Sequence, residues 1–331
     1  MSAVLSVKNL RVEFHTRRGV LVAIDDVSFD VKKGEILGFV GESGAGKSIT
    51  GAAVIGLLEP PGKIAGGEIL LNGQRIDHLS QEEMRKIRGR KIGMIFQDPL
   101  TSLNPLYTVG RQLVETIQTH TKLGDKAARE RALQLLKDVG IPAASDRIDS
   151  YPHEFSGGMR QRVVIALALA AEPDLIIADE PTTALDVSVQ AQIIDLLKKL
   201  CRDHGTSVIL ITHDMGVIAE AADRVAVMYA GRIAEIGPVR DVIDRPKHPY
   251  TIGLMGAIPG LSGEQTRLVQ IPGSMPRLNK IPVGCPFNPR CDRSFERCFK
   301  ERPHLLQTGT SEASCWLYDP MSMPVDNEAM L

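Results

Sequence analysis

The sequence feature that most constrains this chain is a glycine-rich stretch near its start, bounded by an apolar run over residues 36–40 and by helical spacing over residues 48–58. The stretch consists of Gly41, Glu42, Ser43, Gly44, Ala45, Gly46, Lys47 and Ser48, and it reads G-x-x-x-x-G-K-S. Glycines allow backbone N–H groups to surround phosphate oxygens, and the following helix adds its positive end. The pattern predicts a phosphate-binding loop in an α/β fold, with Lys47 at the β- and γ-phosphates of a nucleotide and Ser48 on Mg²⁺.

Three more apolar segments, residues 92–96, 174–178 and 207–212, end in polar residues that suit nucleotide chemistry. These polar residues are Gln97, Asp179, Glu180 and His213. An open α/β sheet binds ligands at the carboxyl ends of its strands, so the four are expected to converge beside the glycine-rich loop. Asp179 is predicted to hold Mg²⁺, and Glu180 to activate or orient the attacking water. Gln97 is predicted to bind the metal or the water, and His213 to donate a hydrogen bond to the γ-phosphate.

A second glycine pair precedes a helix whose body, residues 163–171, is apolar on nearly all sides and is therefore expected to be buried. The residues at its start are Ser156, Gly157 and Gly158. This start fits a second anion-binding helix N-terminus, and it equally fits an ordinary N-cap followed by a tight turn.

Charge and hydropathy narrow the possible partners. The chain has 331 residues, with 39 Lys and Arg against 40 Asp and Glu. This balance gives no electrostatic reason to expect nucleic acid as a partner. The N-terminus lacks the pattern of a signal peptide, and no apolar stretch approaches the roughly 20 residues that span a bilayer. Any role at a membrane is therefore expected to depend on a separate membrane protein.

Four of the five cysteines lie in a proline-rich region after residue 256, and the fifth, Cys201, is predicted to pack on an amphipathic helix over residues 187–204. The four are Cys285, Cys291, Cys298 and Cys315, separated by five, six and sixteen residues. This spacing lacks the close C-x₂-C pair of a zinc ribbon. Four thiolates can hold a [4Fe–4S] cluster or a structural Zn²⁺, and four separate reduced thiols are the remaining interpretation.

Residues 155–161, Phe-Ser-Gly-Gly-Met-Arg-Gln, resemble the signature of the ATP-binding cassette (ABC) family. The glycine-rich loop, Gln97, residues 175–180, residues 184–186 and His213 follow in the order and spacing of that family. The resemblance implies that two such domains pair head to tail and enclose ATP between the P-loop of one and Ser156, Gly157 and Gly158 of the other. It also implies that hydrolysis needs Glu180, that His213 senses the γ-phosphate, and that Asp186 links the two sites.

A narrower resemblance, carried by residues 96–105, 248–251 and 284–291, is to the ATPase subunits of bacterial dipeptide and oligopeptide importers. It implies two transmembrane permease subunits that dock near the segment after Gln97, an extracytoplasmic solute-binding protein and a second ATPase subunit, identical or not. It places the chain at the cytoplasmic face of the bacterial inner membrane as a peripheral subunit. It also favours iron–sulfur over zinc at the four cysteines.

The motifs and the resemblance together imply an α/β fold with a P-loop NTPase core and a mixed sheet. An N-terminal antiparallel β subdomain, a helical signature subdomain and an irregular cysteine-containing C-terminal extension complete it. The expected nucleotide-binding domain covers residues 5–255, and the extension covers residues 256–331.

The function expected from the sequence is ATP binding and hydrolysis that powers import of di- and oligopeptides. An importer of nickel, glutathione or another small solute is an open alternative, because the ATPase subunit does not touch the cargo. A soluble ABC ATPase of DNA repair or translation is disfavoured by the lack of a coiled-coil insertion or a second cassette in this sequence.

Overall fold

The strands and helices follow the apolar runs of the sequence, and the computed structural model describes them over residues 3–183, 185–257 and 270–321. The strands are β1 (Ala3–Thr16), β2 (Gly19–Lys32), β3 (Ile36–Val40), β4 (Gly62–Leu71), β5 (Gln74–Arg75), β6 (Ile92–Ile95), β7 (Leu175–Asp179), β8 (Ser207–Ile211), β9 (Arg224–Tyr229), β10 (Arg232–Pro238), β11 (Leu306–Thr308) and β12 (Ser311–Ala313). The helices are α1 (Lys47–Val54), α2 (Gln81–Ile87), α3 (Pro99–Ser102), α4 (Val109–His120), α5 (Asp125–Asp138), α6 (Ala144–Arg147), α7 (Gly157–Leu169), α8 (Val187–His204), α9 (Met215–Ala221), α10 (Val239–Asp244), α11 (Pro249–Gly256) and α12 (Glu296–Lys300).

The described strands form two sheets. The larger has the order β11-β12-β10-β9-β3-β8-β7-β6, and the smaller has the order β2-β1-β4-β5. Strands β9, β3, β8, β7 and β6 run parallel, whereas β10, β12 and β11 are antiparallel to their neighbours, so the larger sheet is mixed as expected. The smaller sheet is antiparallel throughout and forms the expected N-terminal β subdomain.

The parallel register aligns the strand ends that carry the predicted site. Phe39 of β3 pairs with Ile211 of β8, and Ile211 also lies opposite Asp179 of β7. Ile95 of β6 lies opposite Ala178. All four strands therefore end at one edge of the sheet, and the chain segments that follow them emerge together there.

Two hydrophobic cores cover the two faces of the larger sheet. Along β7, Ile176 is buried in the core shared with the helices, whereas Ile177 is buried in the core shared with β1 and β2. This alternation follows from the period of two in a strand, and burial on both faces explains why β7 reads as a continuous apolar run. The strands that carry the site are therefore packed against a core on both faces.

Some element boundaries differ from those predicted. The short N-terminal strands are parts of the long strands β1 and β2, and the helix after the P-loop ends at Val54, just before Gly56 with φ +68°. The helical region 109–140 is divided into α4 and α5. Ala184, residues 258–269 and residues 322–331, which belong to predicted motifs or to the extension, lie outside the described residues.

The extension is less irregular than predicted, because two of its short strands continue the larger sheet. Strand β12 pairs with β10, with Glu235 opposite Ala313, and β11 pairs with β12. Cys285, Phe287 and Trp316 are buried in the same core as the helices. Sequence patterning missed these strands because each has only three residues. Among the helices of the described residues, none is long and apolar enough to cross a membrane.

Candidate active site

The P-loop is shaped by glycines at positions that exclude larger residues. Gly41 has φ +152°, and a Cβ there would lie 2.3 Å from the Met228 carbonyl oxygen. Gly46 has φ +107° and leads directly into α1. The loop therefore has the tight, inward-facing backbone that surrounds phosphate oxygens in such motifs.

Lys47 lies inside this loop and is 6% exposed. Its Nζ donates hydrogen bonds to the carbonyl oxygens of Gly41 at 2.8 Å and Glu42 at 3.2 Å. Burial lowers the pKa of Lys47, and the nearby charges of Glu180 and Asp179 partly oppose this shift. The cation is thus desolvated next to the loop, where added negative charge is favourable.

Ser48 and Asp179, two of the predicted Mg²⁺ ligands, lie together. The Ser48 hydroxyl donates to the Asp179 carboxylate at 2.9 Å. Burial raises the pKa of Asp179, the charge of Glu180 raises it further, and the bond from Ser48 opposes both. Oxygen donors of this kind suit a hard cation that also contacts phosphate oxygens.

The Glu180 carboxylate contacts two other predicted residues, Gln97 and His213. Gln97 Nε2 donates to Glu180 Oε2 at 3.1 Å, and His213 Nδ1 lies 3.4 Å from Oε1. The Glu180 backbone is left-handed, with φ +47°. Such a backbone is unfavourable for a residue with a side chain and persists where surrounding structure enforces it. The structure therefore brings Gln97, Glu180 and His213 into one constellation.

Ser156, Gly157, Gly158 and Asp186 make local contacts in the described chain. Ser156 caps α7, since its hydroxyl accepts a hydrogen bond from the Met159 N–H. Asp186 caps α8 by accepting from the Val189 N–H at 2.9 Å. Gly157 has open space where a Cβ would lie. These helix starts are thus formed and accessible, and their hydrogen bonds stay within their own surroundings rather than reaching the P-loop.

Three residues near the site were not assigned a role from the sequence. Thr183 donates its hydroxyl proton to Glu180 Oε2 at 2.9 Å. Arg290 and Tyr250 both bind Glu42 of the P-loop. The three-residue spacing between Glu180 and Thr183 across a turn is a usable sequence signal. No local pattern connects Glu42 with residues more than 200 positions away.

Cys285, Cys291, Cys298 and Cys315 line one small cavity, together with His248, Phe287 and Trp316. Burial raises the pKa of Cys285 to about 12 and that of Cys315 to about 11, so these thiols are neutral as they stand. Within the described ranges, no three His, Cys, Asp or Glu side chains lie close enough to hold a single metal ion. The predicted packing role of Cys201 fits its burial in the core.

Two family models match the chain. The model described as ABC transporter covers residues 24–183. The model described as the C-terminal region of oligopeptide/dipeptide transporters covers residues 234–298, which include Cys285, Cys291 and Cys298.

Curated relatives are similar over nearly the whole chain. The dipeptide transport ATP-binding protein DppD of Bacillus subtilis is 51% identical over 321 residues, or 96% of each chain. The oligopeptide transport ATP-binding protein OppD of Escherichia coli is 51% identical over 301 residues, covering 91% of this chain and 89% of that protein.

Solved structures confirm the fold of the cassette. A dimeric ATP-binding cassette, MJ0796, in a post-hydrolysis state with ADP and Pi superimposes with a TM-score of 0.64 at 31% identity. The match covers 71% of this chain and 99% of that one. The structure of cbiO1 from Clostridium perfringens gives a TM-score of 0.65 at 30% identity, covering 74% and 92% of the two chains. The chain therefore belongs to the ABC transporter family, as an ATPase of the type that carries the oligopeptide/dipeptide transporter C-terminal region.

Proposed function

We propose that this chain is the ATP-hydrolysing subunit of an importer of di- and oligopeptides, acting at the cytoplasmic face of the bacterial inner membrane. The observation that carries the proposal is the convergence of Gln97, Glu180 and His213 beside the P-loop. The peptide cargo is supported by relatives named for dipeptide and oligopeptide transport and by the matching C-terminal region.

In this proposal the chemistry consists of positioning and charge stabilisation. Glu180 orients the attacking water, and Gln97 and His213 hold its carboxylate. Lys47 and the loop N–H groups stabilise charge on the phosphates. The proposed Mg²⁺ ligands are the side-chain oxygens of Ser48, Asp179 and Gln97. When bound, Mg²⁺ would neutralise charge on the β- and γ-phosphates.

We propose that two ATPase subunits pair, with ATP between the P-loop of one and Ser156, Gly157 and Gly158 of the other. The open space beside Gly157 supports this arrangement, since the N-terminus of a helix has unsatisfied N–H groups and a positive dipole end that favour an anion. Asp186 would then link the two sites from the start of α8. The second ATPase in this proposal is either another copy of this chain or a related, non-identical subunit.

The permease subunits are proposed to dock in an open apolar groove next to Gln97. The groove is lined by residues of β6, α3 and α7, including Met94, Phe96 and Leu167. Phe96 is 46% exposed, which is unusual for a large aromatic side chain beside a core. A partner helix would bury this surface and connect the membrane domain to Gln97. A solute-binding protein outside the membrane would deliver the peptide.

We also propose that Cys285, Cys291, Cys298 and Cys315 hold a [4Fe–4S] cluster. Their shared, buried cavity supports this assignment. The sequence spacing lacks the close C-x₂-C pair of a zinc ribbon, which disfavours Zn²⁺. Among the described residues, no three His, Cys, Asp or Glu side chains are grouped so as to hold a metal ion, so loading would require the cysteines to rearrange. The thiols would have to lose their protons on loading.

The proposed division of the chain is a nucleotide-binding domain over residues 5–255 and the extension over residues 256–331. The cavity cysteines all fall in the second unit. Pairing of β12 with β10 supports a docked extension rather than a separately folding one.

The function is tested by uptake of a labelled dipeptide in cells that carry the wild-type protein or Glu180→Gln. The exposed Glu220, on α9, gives a matched control, Glu220→Gln. We expect uptake to be lost in Glu180→Gln, kept in Glu220→Gln, and unaffected by excess nickel or glutathione. Competition by nickel or glutathione, or uptake that survives Glu180→Gln, would contradict the peptide assignment.

The cluster is tested on anaerobically purified protein by visible absorption and by iron and acid-labile sulfide content. We expect about four irons per chain, lost in Cys298→Ser and kept in Cys201→Ser, since Cys201 lies outside the cavity. Zinc in place of iron, or no metal in any preparation, would contradict the assignment.

A further inference from the structure

The C-terminal extension reaches the P-loop at Glu42, the residue after Gly41. The Arg290 guanidinium donates to both oxygens of the Glu42 carboxylate, each at 3.0 Å. The Glu42 backbone N–H donates to the Tyr250 hydroxyl at 2.9 Å. Glu42 is thus held through its side chain and its backbone at once.

Arg290 is itself fixed in place. Its Nε donates to the Pro272 carbonyl oxygen at 2.8 Å, and its guanidinium carbon lies 5.8 Å from the centre of the Tyr229 ring. The side chain is 7% exposed. Burial disfavours its charge, but the bonds to Glu42 and Tyr229 outweigh this effect and raise the pKa of Arg290. The pair with Glu42 is therefore a bidentate, partly buried contact rather than a fully exposed surface ion pair.

Tyr250 is enclosed by neighbouring side chains as well. It is fully buried at the start of α11, and its ring centre lies 4.6 Å from that of Tyr229 and 5.5 Å from that of Phe287. Burial raises the pKa of Tyr250, so its hydroxyl stays protonated. Because the Glu42 N–H is bound to this hydroxyl, it is directed at α11, and the phosphates must be bound by later N–H groups of the loop.

A carboxylate in a loop that binds a triphosphate creates an electrostatic conflict, which becomes stronger as water is excluded. Arg290 neutralises Glu42, and the fork geometry keeps its carboxylate on the side of the extension. Tyr250 fixes the backbone at the same residue. Both restraints come from residues outside the loop, so they reduce the cost of ordering the loop when it binds a nucleotide.

We propose that Arg290 of the C-terminal extension and Tyr250 of α11 are positioning residues for the P-loop, through which the C-terminal part of the chain sets its affinity for ATP. This inference rests on the proposed function, in which the P-loop binds ATP. Arg290 acts through Glu42.

The test is binding of Mg²⁺ with the non-hydrolysable analogue AMP-PNP to the purified full-length chain, measured by calorimetry. Arg290→Met is expected to weaken binding about tenfold, which lies in the range of typical couplings between sites. Arg290→Lys keeps the charge but loses the fork, so its affinity should be intermediate. Arg302→Met is the matched control, because Arg302 belongs to the same extension but pairs with Asp25 of β2. It is expected to bind within about twofold of wild type.

In the assembled transporter, Arg290→Met should raise the KM for ATP while kcat at saturating ATP changes less than about twofold. A general loss of structure would lower kcat as well. Should Arg290→Met not fold, a double-mutant cycle of Glu42→Gln and Arg290→Lys measures the coupling between these two side chains. The Lys substitution should then cost less in the Glu42→Gln background than alone.

The proposal is overturned if Arg290→Met binds AMP-PNP as wild type does, if Arg302→Met weakens binding equally, or if the Lys substitution costs as much without the Glu42 carboxylate as with it. Failure of the wild-type chain to bind AMP-PNP at all would instead contradict the proposed function. The two failures are therefore distinguishable.

Discussion

The contacts around Glu180 and those around Glu42 arise in different ways, although both regions belong to the proposed ATP site. Glu180 is reached by Gln97 and His213, each of which follows a strand of the parallel sheet. Glu42 is reached by Tyr250, which belongs to α11, and by Arg290, which belongs to a short turn of the C-terminal extension.

This difference separates two sources of positional control. At Glu180, the sheet register alone aligns the strand ends, so any buried parallel sheet of this order would bring such residues together. At Glu42, the contacts depend on how the C-terminal region docks, and this docking relies on individual aromatic and charged contacts. The first arrangement is expected to tolerate changes in the extension that the second does not.

The largest expected effect is on turnover at the strand ends. Glu180→Gln should keep nucleotide binding but lower ATP hydrolysis by about 10²–10⁴-fold, the range for loss of a general base. The amide keeps the size of the carboxylate but cannot accept a proton from water. Phosphate release by the purified protein, compared with Glu220→Gln, measures the effect. Turnover close to wild type would mean that Glu180 does not act on the water.

The next effect tests whether the extension is part of the common core. Trp316 is 4% exposed, its Nε1 donates to the Glu301 carbonyl oxygen, and Arg297 lies 3.6 Å from the centre of its ring. Trp316→Ala should cost about 3–5 kcal/mol in the free energy of unfolding, because it leaves a large cavity. Since Trp316 lies in the same core as α7, we expect the main thermal transition of the chain to shift.

Calorimetric scans separate the two possible outcomes of that experiment. A shift of the main transition supports a docked extension. A small unfolding transition at lower temperature, with the main transition unchanged, would show that the extension unfolds alone. The contrast between the Glu180 and Glu42 regions would then be weaker.

A pH effect is expected where β10 meets the extension. Glu235 is fully buried, and its carboxylate accepts hydrogen bonds from the N–H groups of Lys247 and His248. Burial raises the pKa of Glu235 above 4.5, and these hydrogen bonds only partly oppose the shift. The folded chain therefore binds this proton more tightly than the unfolded chain, so the stability contributed by Glu235 is present below pH 4.5 and is lost as pH rises through the raised pKa.

Glu235→Gln should remove this dependence. The melting temperature of the variant relative to wild type should rise as pH increases from 4.5 and then level off. Thermal melts across pH 4.5–8 measure it, with Glu312→Gln on the exposed side of β12 as control. A melting-temperature difference between variant and wild type that stays constant with pH would show that burial does not control the pKa of Glu235.

Sequence patterns predicted the fold and the residues that lie together at Glu180. Each of these residues belongs to a local motif at the end of a buried strand, and both features can be recognised in the sequence. The patterns also predicted the span of α8, where an amphipathic pattern coincides with a cap at Asp186 and a glycine at 205. Contacts such as that of Arg290 with Glu42 could not be predicted, because nothing in the neighbouring residues of either one specifies the other. The three-residue strands β11 and β12 were missed for a related reason, since their pairing with β10 is set by tertiary contacts.

The smallest expected effect concerns Thr183, which sharpens the comparison because it is a local contact that the motifs did not assign. Its hydroxyl donates to Glu180 Oε2 at 2.9 Å, next to the bond from Gln97 to the same oxygen. Thr183→Val keeps the shape and removes this donor, so we expect kcat to fall about fivefold, as one hydrogen bond of about 1 kcal/mol implies. Thr183→Ser keeps the hydroxyl and should retain wild-type turnover. A larger loss in Thr183→Ser than in Thr183→Val would mean that the methyl group, through packing, matters more than the bond. Unchanged turnover in Thr183→Val would mean that the strand ends alone position Glu180, without help from the turn that follows.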